Sequence, residues 1–153
     1  MNDTYGHPLG DSVLRCICGL LEAGLPAGAF CARYGGDEFA VVLPGSEQAA
    51  AVDVCEAARE RIHRRPWDQL AAGLRVTVSV GVVHASGPAL PEPLVESADA
   101  LLYAAKDLGR NAVAFREDQS GAVRLAGAAG GRRTVRPFAG VPTPACDRTR
   151  SAP

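Results

Sequence analysis

The stretch of sequence that decides the fold is Arg33-Tyr34-Gly35-Gly36-Asp37-Glu38-Phe39. It lies between two short, mainly apolar runs, residues 29–32 and 39–43. A Gly-Gly pair between two such runs predicts a tight β-hairpin, because glycine reaches positive φ without steric cost. The predicted hairpin places Asp37 and Glu38 beside its tip.

Two adjacent carboxylates beside a bare backbone turn suit a divalent metal that carries a phosphate group. The missing side chains at Gly35 and Gly36 would let a ligand approach the backbone closely. Taken alone, however, a Gly-Gly-Asp triplet is more typical of an ordinary turn exposed to solvent. The rest of the chain has to decide between the two interpretations.

Length and composition are those of one globular domain. The 153 residues are 47% hydrophobic and 22% charged, which is enough to form a core. We expect no membrane segment and no signal peptide, because no apolar run is long enough to span a bilayer. The five cysteines show no C-x-x-C pair, and their odd number favours reduced thiols in the cytoplasm.

Charge is unevenly distributed along the chain. The net charge is −1, and residues 117–153 hold six arginines and three acidic residues. Residues 1–116 therefore contain 10 basic and 14 acidic residues. Because this part is mildly acidic, we expect no nucleic-acid partner, although a small site for a metal-bound nucleotide is compatible with it.

Apolar residues at spacings of three and four predict helices over about residues 11–25, 46–65 and 94–108. Ser46 is suited to cap the second helix, and Gly109 to end the third. In the second helix, charged residues are expected to face solvent and apolar residues to face the core. The charged set includes Glu56, Arg59, Glu60 and Arg64, and the apolar set is Ala50, Val54, Ala57, Ala58 and Ile62.

Strict alternation of apolar and polar residues predicts a strand over 74–82, and a short apolar run predicts another over 112–115. From residue 117 onward the pattern dissolves into Gly, Ala, Pro and Arg. Such a segment cannot bury enough apolar area to offset its ordering entropy. We therefore predict a domain over residues 1–116 and a disordered tail over 117–153.

Lys106 is the only lysine among 16 basic residues, and it lies four residues before Arg110. Both have an ordinary explanation, because positive charges stabilise the C-terminus of a helix. Asp11 has a similar explanation in the first turn of the first predicted helix, where a carboxylate is favoured.

The residues 35–39 spell the motif of the GGDEF family of diguanylate cyclases, and the chain resembles that family at three further places. These are Asn2-Asp3-Thr4-Tyr5-Gly6-His7 with Gly10-Asp11, then Val78-Ser79-Val80-Gly81, and finally Ala104-Ala105-Lys106 through Gly109-Arg110-Asn111. The resemblance covers about residues 1–116. It implies an α+β fold like the palm of nucleotide cyclases and polymerases, with helices flanking an antiparallel sheet.

The resemblance also implies an activity, the Mg-dependent condensation of two GTP molecules into cyclic di-GMP with release of pyrophosphate. Asp37 and Glu38 would be the catalytic residues. Asp37 would bind Mg²⁺ or Mn²⁺, and Glu38 would be a second ligand of the metal or would help to deprotonate the attacking hydroxyl. Asn2 and Asp11 would hydrogen-bond the guanine edge. The substrate-binding set that the family implies is Asn2, Asp11, Gly35, Gly36, Lys106 and Arg110, with the last two on the phosphates. Because each domain would hold one GTP, catalysis would need a transient homodimer.

The chain departs from the family in two respects. Family members have a helix and a central strand with a metal-binding aspartate before the segment that begins at Asn2. We therefore expect the 153-residue chain alone to be inactive and poorly stable. At the positions of the family's Arg-x-x-Asp product site, this chain has Pro26 and Ala29. We therefore expect no inhibition through that site.

Two other functions stay open from the sequence. A non-catalytic member of the family would bind GTP or a protein partner, and the missing strand favours it. A small RNA-binding protein would use the arginine-rich tail. Salt-sensitive RNA binding that is lost on deleting residues 117–153 would favour this second alternative.

Overall fold

A computed structural model of the chain describes residues 7–117, 120–127 and 133–134. Helices and short strands alternate in this part, which confirms the predicted α+β class. None of the described helices is both long and apolar enough to cross a bilayer. In chain order the elements are α1 (His7–Glu22), β1 (Phe30–Gly35), β2 (Glu38–Val42), α2 (Gln48–Arg64), a 3₁₀ turn (Trp67–Gln69), β3 (Val80–Val82), α3 (Pro91–Asp107), β4 (Ala112–Arg116), β5 (Val123–Gly127) and β6 (Arg133–Thr134).

The described strands form two sheets. Strands β1 and β2 pair antiparallel in a hairpin of their own, as predicted. The second sheet has the order β3-β4-β5-β6, in which β3 and β4 run parallel and the other neighbours antiparallel. The parallel pair differs from the antiparallel sheet that was expected. It arises because α3 lies between β3 and β4 in the chain, so the connection is a crossover and not a hairpin.

Strand β4 is covered on both faces. Val113 and Phe115 pack with Val52 of α2, whereas Ala114 packs with Leu101 of α3. Successive side chains of a strand point to opposite faces, so one strand gives both helices an apolar surface. The result is three layers, with the sheet between α2 and α3.

A further core cluster joins α1 to the C-terminal half of α2. Val13 and Ile17 of α1 pack with Ile62 of α2 and with Trp67 of the 3₁₀ turn. The indole Nε1 of Trp67 donates a hydrogen bond to the Ile62 carbonyl oxygen at 2.8 Å. This bond satisfies the polar group of a side chain that is otherwise buried. Helix α2 therefore packs against α1 with one part of its surface and against the sheet with another.

Helix α3 approaches β3 closely at Gly81. A Cβ atom at this position would overlap the Ala98 carbonyl oxygen and would lie 2.5 Å from the Leu102 nitrogen. Both are backbone atoms of α3, so neither can move away unless the helix shifts. The missing side chain of Gly81 therefore lets the helix lie directly on the strand.

The strand predicted over residues 74–82 is formed only at its end, Val80–Val82. Residues 74–79 keep the alternation, since Leu74 and Val76 are buried while Arg75 is exposed. Among the described strands, however, none pairs with this segment. An extended segment without a hydrogen-bonded neighbour is not part of a sheet, however regular its pattern.

Helix α2 differs from the prediction in its start and in its buried residues. It begins at Gln48, and Glu47 is the N-cap residue without a side-chain hydrogen bond, so Ser46 does not cap it. Because the helix is covered by α1 and by the sheet on different sides, its buried surface is not one narrow stripe. Ala50 and Ala57, which were expected inside, are exposed. The buried residues are Ala51, Val52, Ala58, Arg59 and Ile62.

The prediction of a disordered tail from residue 117 is wrong for Val123–Gly127, which forms β5 and pairs with β4. Val123 and Leu125 belong to the cluster beneath α3. The pairing gives the backbone of β4 a second hydrogen-bonded neighbour, and the alternating apolar side chains complete the core. Two more residues form β6. Residues 118–119, 128–132 and 135–153 of the predicted tail lie outside the described residues.

We expect Gly81→Ala to lower the free energy of unfolding by about 1–3 kcal/mol, because overpacking forces shifts of this cost. Urea unfolding followed by circular dichroism measures the change. Gly19→Ala in α1 is the matched control, since a Cβ there meets nothing within 4 Å. The control should be stabilising by about 0.5–1 kcal/mol. Equal destabilisation at both positions would contradict the close contact at Gly81.

Candidate active site

The tip of the β1–β2 hairpin presents Asp37 and Glu38 to solvent. Gly35 pairs with Glu38, so Gly36 and Asp37 form a two-residue loop, and the ladder is irregular between Arg33 and Gly35. Gly36 has a φ of 43°, a left-handed conformation that glycine adopts readily. Both carboxylates are exposed, and they lie beside the tip of the hairpin as the sequence predicted.

Arg33 holds the tip in shape, a role that was not predicted. Its Nε and Nη2 atoms donate hydrogen bonds to the Gly36 carbonyl oxygen at 2.9 and 2.6 Å. The guanidinium thereby fixes the backbone directly before Asp37. The residue type alone does not reveal this contact, because an arginine beside a turn more often faces solvent.

The tip has donors and space for a metal-bound phosphate. A Cβ atom placed at Gly35 or Gly36 meets nothing within 4 Å. Across residues 7–117, 120–127 and 133–134, no group of three or more His, Cys, Asp or Glu side chains is placed to hold a metal ion. Asp37 and Glu38 still fit Mg²⁺, because this ion is usually bound by one or two carboxylates together with substrate phosphates and water.

A second group of candidate residues lies at the C-terminal end of α3. Lys106 is exposed in the last turn of the helix. The helix ends in a Schellman motif, in which Gly109 has a φ of 116° and the Arg110 N–H donates to the Ala105 carbonyl oxygen at 3.0 Å. This motif confirms Gly109 as the predicted end of the helix, and it places the exposed Arg110 one residue beyond.

The structure therefore brings the candidates together in two pairs. Asp37 and Glu38 share the hairpin tip, and Lys106 and Arg110 share the end of α3. Within the described part of the chain, none of these four side chains makes a hydrogen bond or an ion pair. Their charges therefore take part in no contact within the described residues and are available to bind a ligand.

The turn that carries Arg110 is attached to α2. Arg110 and Asn111 have φ values of 61° and 47°, in the left-handed region that residues other than glycine rarely adopt. The Asn111 Oδ1 atom accepts a hydrogen bond from Arg59 Nη1 at 2.7 Å. Neither Asn111 nor Arg59 was predicted to have a role, although Asn111 belongs to one of the segments that resemble the family.

Arg59 is buried, so the prediction that it lies on a solvated face is wrong. Its side chain is 1% exposed. The Nε and Nη2 atoms donate to both carboxylate oxygens of Glu56 at 2.9 and 2.7 Å, and Nη2 also donates to Glu60 at 2.6 Å. The hydrogen bonds to Glu56 are the main cause that raises the pKa of Arg59. The sequence could not show this burial, because charges at helical spacing look the same whether water or another segment covers them.

The expected guanine-binding residues are described only in part. Asp11 is exposed on α1. Because α1 begins at His7, Asp11 lies beyond the first helical turn, and the stabilising position that was predicted for it is wrong. Helix α1 packs against β1, so Asp11 is on an element that adjoins the hairpin. Asn2 lies outside the described residues.

Comparison with known proteins decides the family. The family described as "Diguanylate cyclase, GGDEF domain" matches residues 1–112 of the chain. The chain belongs to the GGDEF family. The resemblance carried by residues 35–39 and by the other three segments is thereby confirmed.

Curated relatives of this GGDEF domain are considerably longer. Probable diguanylate cyclase DgcT of Escherichia coli (strain K12) is 36% identical over 120 residues, which are 76% of this chain and 26% of that protein. Response regulator PleD of Caulobacter vibrioides (strain NA1000 / CB15N) is 40% identical over 117 residues, or 74% of this chain and 26% of that protein. The chain thus spans about a quarter of the length of these relatives.

Solved GGDEF structures share the fold. The GGDEF domain of DgcB from Caulobacter crescentus, in complex with c-di-GMP, matches 74% of this chain and 68% of its own, with a TM-score of 0.68 and 32% identity. The active GGEEF domain of a diguanylate cyclase from Vibrio cholerae matches 76% of this chain and 75% of its own, with a TM-score of 0.66 and 30% identity. The predicted palm-like fold is therefore confirmed.

We expect Glu60 to stabilise the domain in a pH-dependent manner. Hydrogen bonds from Arg59, and then from Arg64, lower the pKa of Glu60 below its ordinary value of 4.5. A carboxyl group with a lowered folded pKa stabilises the fold above its unfolded pKa, and this contribution disappears as the pH falls through the folded value. Glu60→Gln should therefore lower the free energy of unfolding near pH 7, and its effect should shrink at about pH 3.

Urea unfolding at the two pH values measures this difference. Glu96→Gln is the control, because Glu96 is exposed on α3 and has no ion pair within the described residues. The control should change the stability little at either pH. An effect of Glu60→Gln that grows on acidification would contradict the assigned role.

Proposed function

We propose that this chain is the catalytic domain of a diguanylate cyclase, which joins two GTP molecules into cyclic di-GMP and releases pyrophosphate. The observation that carries the proposal is the family match over residues 1–112. The four charged side chains at the hairpin tip and at the end of α3 support it, because they are exposed and bind no other described group. The names of the curated relatives point to the same reaction.

In this proposal, the end of α3 binds the triphosphate. The compact ammonium of Lys106 and the forked guanidinium of Arg110 share the negative charge of the phosphates. Asn2 and Asp11 bind the guanine edge, since a carboxylate accepts hydrogen bonds from N1–H and N2–H and an amide can both donate and accept. The bare backbone at Gly35 and Gly36 leaves room for the phosphates to approach.

Asp37 and Glu38 would hold the divalent ion, Mg²⁺ or Mn²⁺, which when bound would lower the pKa of the attacking hydroxyl and neutralise developing charge. Glu38 also accepts the proton of the ribose 3′-hydroxyl of one GTP. The 3′-oxygen then bonds to the α-phosphorus of the second GTP, and the bond to the β-phosphate oxygen breaks so that pyrophosphate leaves. Arg33 keeps the loop before Asp37 in a fixed conformation throughout.

Two copies of the domain have to face each other in this reaction, because each holds one GTP. We therefore include a transient homodimer in the proposal. We place it in the cytoplasm, where cysteines stay reduced. The cysteines in the described residues are unpaired, and burial raises the pKa of the Cys55 thiol to about 11.

In a chain extended by the helix and strand that precede Asn2 in the family, we expect Asp37→Asn to reduce cyclic di-GMP formation by at least about a hundredfold, because even partners of metal ligands contribute up to this factor. GTP binding should largely remain, since the phosphate-binding and guanine-binding residues are unchanged. Product formation from GTP and Mg²⁺ is measured by liquid chromatography, and GTP binding by calorimetry. Asp53→Asn on the exposed surface of α2 is the control and should behave as the parent does.

The same measurements separate the cyclase from its alternative. Product formation by Asp37→Asn within threefold of the parent would contradict the assignment of Asp37 as a metal ligand. An extended parent that binds GTP but forms no cyclic di-GMP would favour a non-catalytic GTP-binding module. Absence of GTP binding in the parent would contradict both functions.

We expect Lys106→Met to weaken GTP binding more than GMP binding, because its charge meets the triphosphate. The loss for GTP should be about 1.5–3 kcal/mol, the usual value of a hydrogen bond to a charged group. Calorimetry with both nucleotides measures the two losses. Arg75→Met removes an equal charge from another exposed position and should leave the preference for GTP unchanged. Equal losses for GTP and GMP would indicate that Lys106 only stabilises the end of α3.

A further inference from the structure

We infer that Arg59 is a positioning residue for nucleotide binding, which acts through Asn111 to hold the turn of residues 109–111 and thereby the phosphate-binding Arg110. The inference deepens the proposed function and depends on it. It assigns a task to a side chain of α2 that has no other place in the proposed chemistry.

The geometry of Arg59 singles it out among the charged residues of α2. Its side chain is 1% exposed, and it makes four hydrogen bonds to side chains. Three of them go to Glu56 and Glu60 on the same helix. The fourth crosses from Nη1 to Oδ1 of Asn111, which lies 52 residues further along the chain.

The two glutamates fix the direction of this fourth bond. Glu56 accepts from both Nε and Nη2, so the plane of the guanidinium is set by a two-point contact. Glu60 accepts from Nη2 as well. Because one edge of the fork is bound to the helix in this way, the Nη1 atom is directed outward to the turn. The carboxylates also balance the buried positive charge, which would otherwise be costly.

The turn needs such support because its backbone is unusual. Gly109, Arg110 and Asn111 are three consecutive residues with positive φ, at 116°, 61° and 47°. Glycine adopts this region freely and asparagine tolerates it, but arginine rarely does. Such conformations persist when their surroundings hold them in place. The Arg110 N–H bond to Ala105 holds the turn on one side, and the Asn111 bond to Arg59 holds it on the other.

Holding this turn matters for binding because Arg110 is exposed and unpaired within the described residues. A side chain on a mobile turn loses more conformational freedom when it binds a ligand than one on a fixed turn. The Arg59–Asn111 bond therefore organises the turn before GTP arrives. Its loss is expected to weaken the triphosphate contact selectively, with little effect on the nucleoside part.

The test replaces Asn111 with glycine in the full 153-residue chain. Asn111→Gly removes the acceptor of Arg59 but keeps a backbone that adopts a φ of 47° without strain. We expect the dissociation constant for GTP to rise by about fivefold to tenfold, as for the loss of one hydrogen bond. The dissociation constant for GMP should rise less than twofold. Calorimetry with GTP and GMP in the presence of Mg²⁺ measures both.

A double-mutant cycle separates positioning from plain stabilisation. If Asn111 acts through Arg110, then Asn111→Gly should cause no further loss of GTP affinity in an Arg110→Ala background. Gln48→Ala is the matched control, because Gln48 Nε2 donates to the Arg116 carbonyl oxygen and so joins α2 to the far end of β4. This control should lower the melting temperature as Asn111→Gly does, and it should leave the ratio of GTP to GMP affinity unchanged.

The outcomes distinguish this inference from the proposed function. If the parent binds GTP and Arg110→Ala weakens it, but Asn111→Gly has no effect, the inference alone is overturned. Independent, additive effects of the two substitutions, or equal losses for GTP and GMP, would also overturn it. If the parent does not bind GTP, or if Arg110→Ala leaves GTP binding intact, the phosphate site itself is wrong and the inference falls with it.

Discussion

The burial of β4 between two helices is the constraint on which the rest of the structure depends. Val113 and Phe115 are covered by α2, and Ala114 by α3, while β3 and β5 pair with the two edges of the strand. All four of its first residues are buried. A strand that is covered on both faces must be apolar at successive positions. The apolar run of β4 therefore requires a helix on each face of the sheet, and neither face of this strand is exposed to water.

The position of the C-terminal end of α3, which carries Lys106 and Arg110, follows from this arrangement. Helix α3 rests on β3 at Gly81 and on β4 through Leu101, so it has little freedom to shift along the sheet. Its last turn then ends at a fixed place, where Gly109 closes the helix. The carboxylates at the hairpin tip are placed differently, by a short loop and one arginine contact. One half of the candidate site therefore depends on the core, and the other on local turn geometry.

The parts of the fold and of the candidate site that depend on a few neighbouring residues could be predicted from the sequence. The hairpin at Gly35-Gly36, the end of α3 at Gly109 and the α+β class each rest on the conformational preference of a few neighbouring residues. The family's palm-like fold required the resemblance, because periodicity alone does not order strands in a sheet.

The predictions of secondary structure and burial are wrong where contact with a segment distant in the sequence determines the structure. Residues 74–79 alternate as a strand does, but pairing requires a neighbour that the local pattern cannot supply. Val123–Gly127 belongs to a segment that was predicted to bury too little apolar area to be ordered, yet the edge of β4 gives it hydrogen bonds. Arg59 has the spacing of a solvated helix face, but its side chain is buried and donates a hydrogen bond to Asn111 in the α3–β4 turn. That contact also bears on the order of folding. The unit β3–α3–β4 lies within residues 80–116, so its closure costs little chain entropy. The Arg59–Asn111 bond spans 52 residues and forms only after α2 docks on that unit. The turn that carries Arg110 is therefore completed by docking, and a chain with its helices formed but not yet assembled would still lack an organised turn at the end of α3.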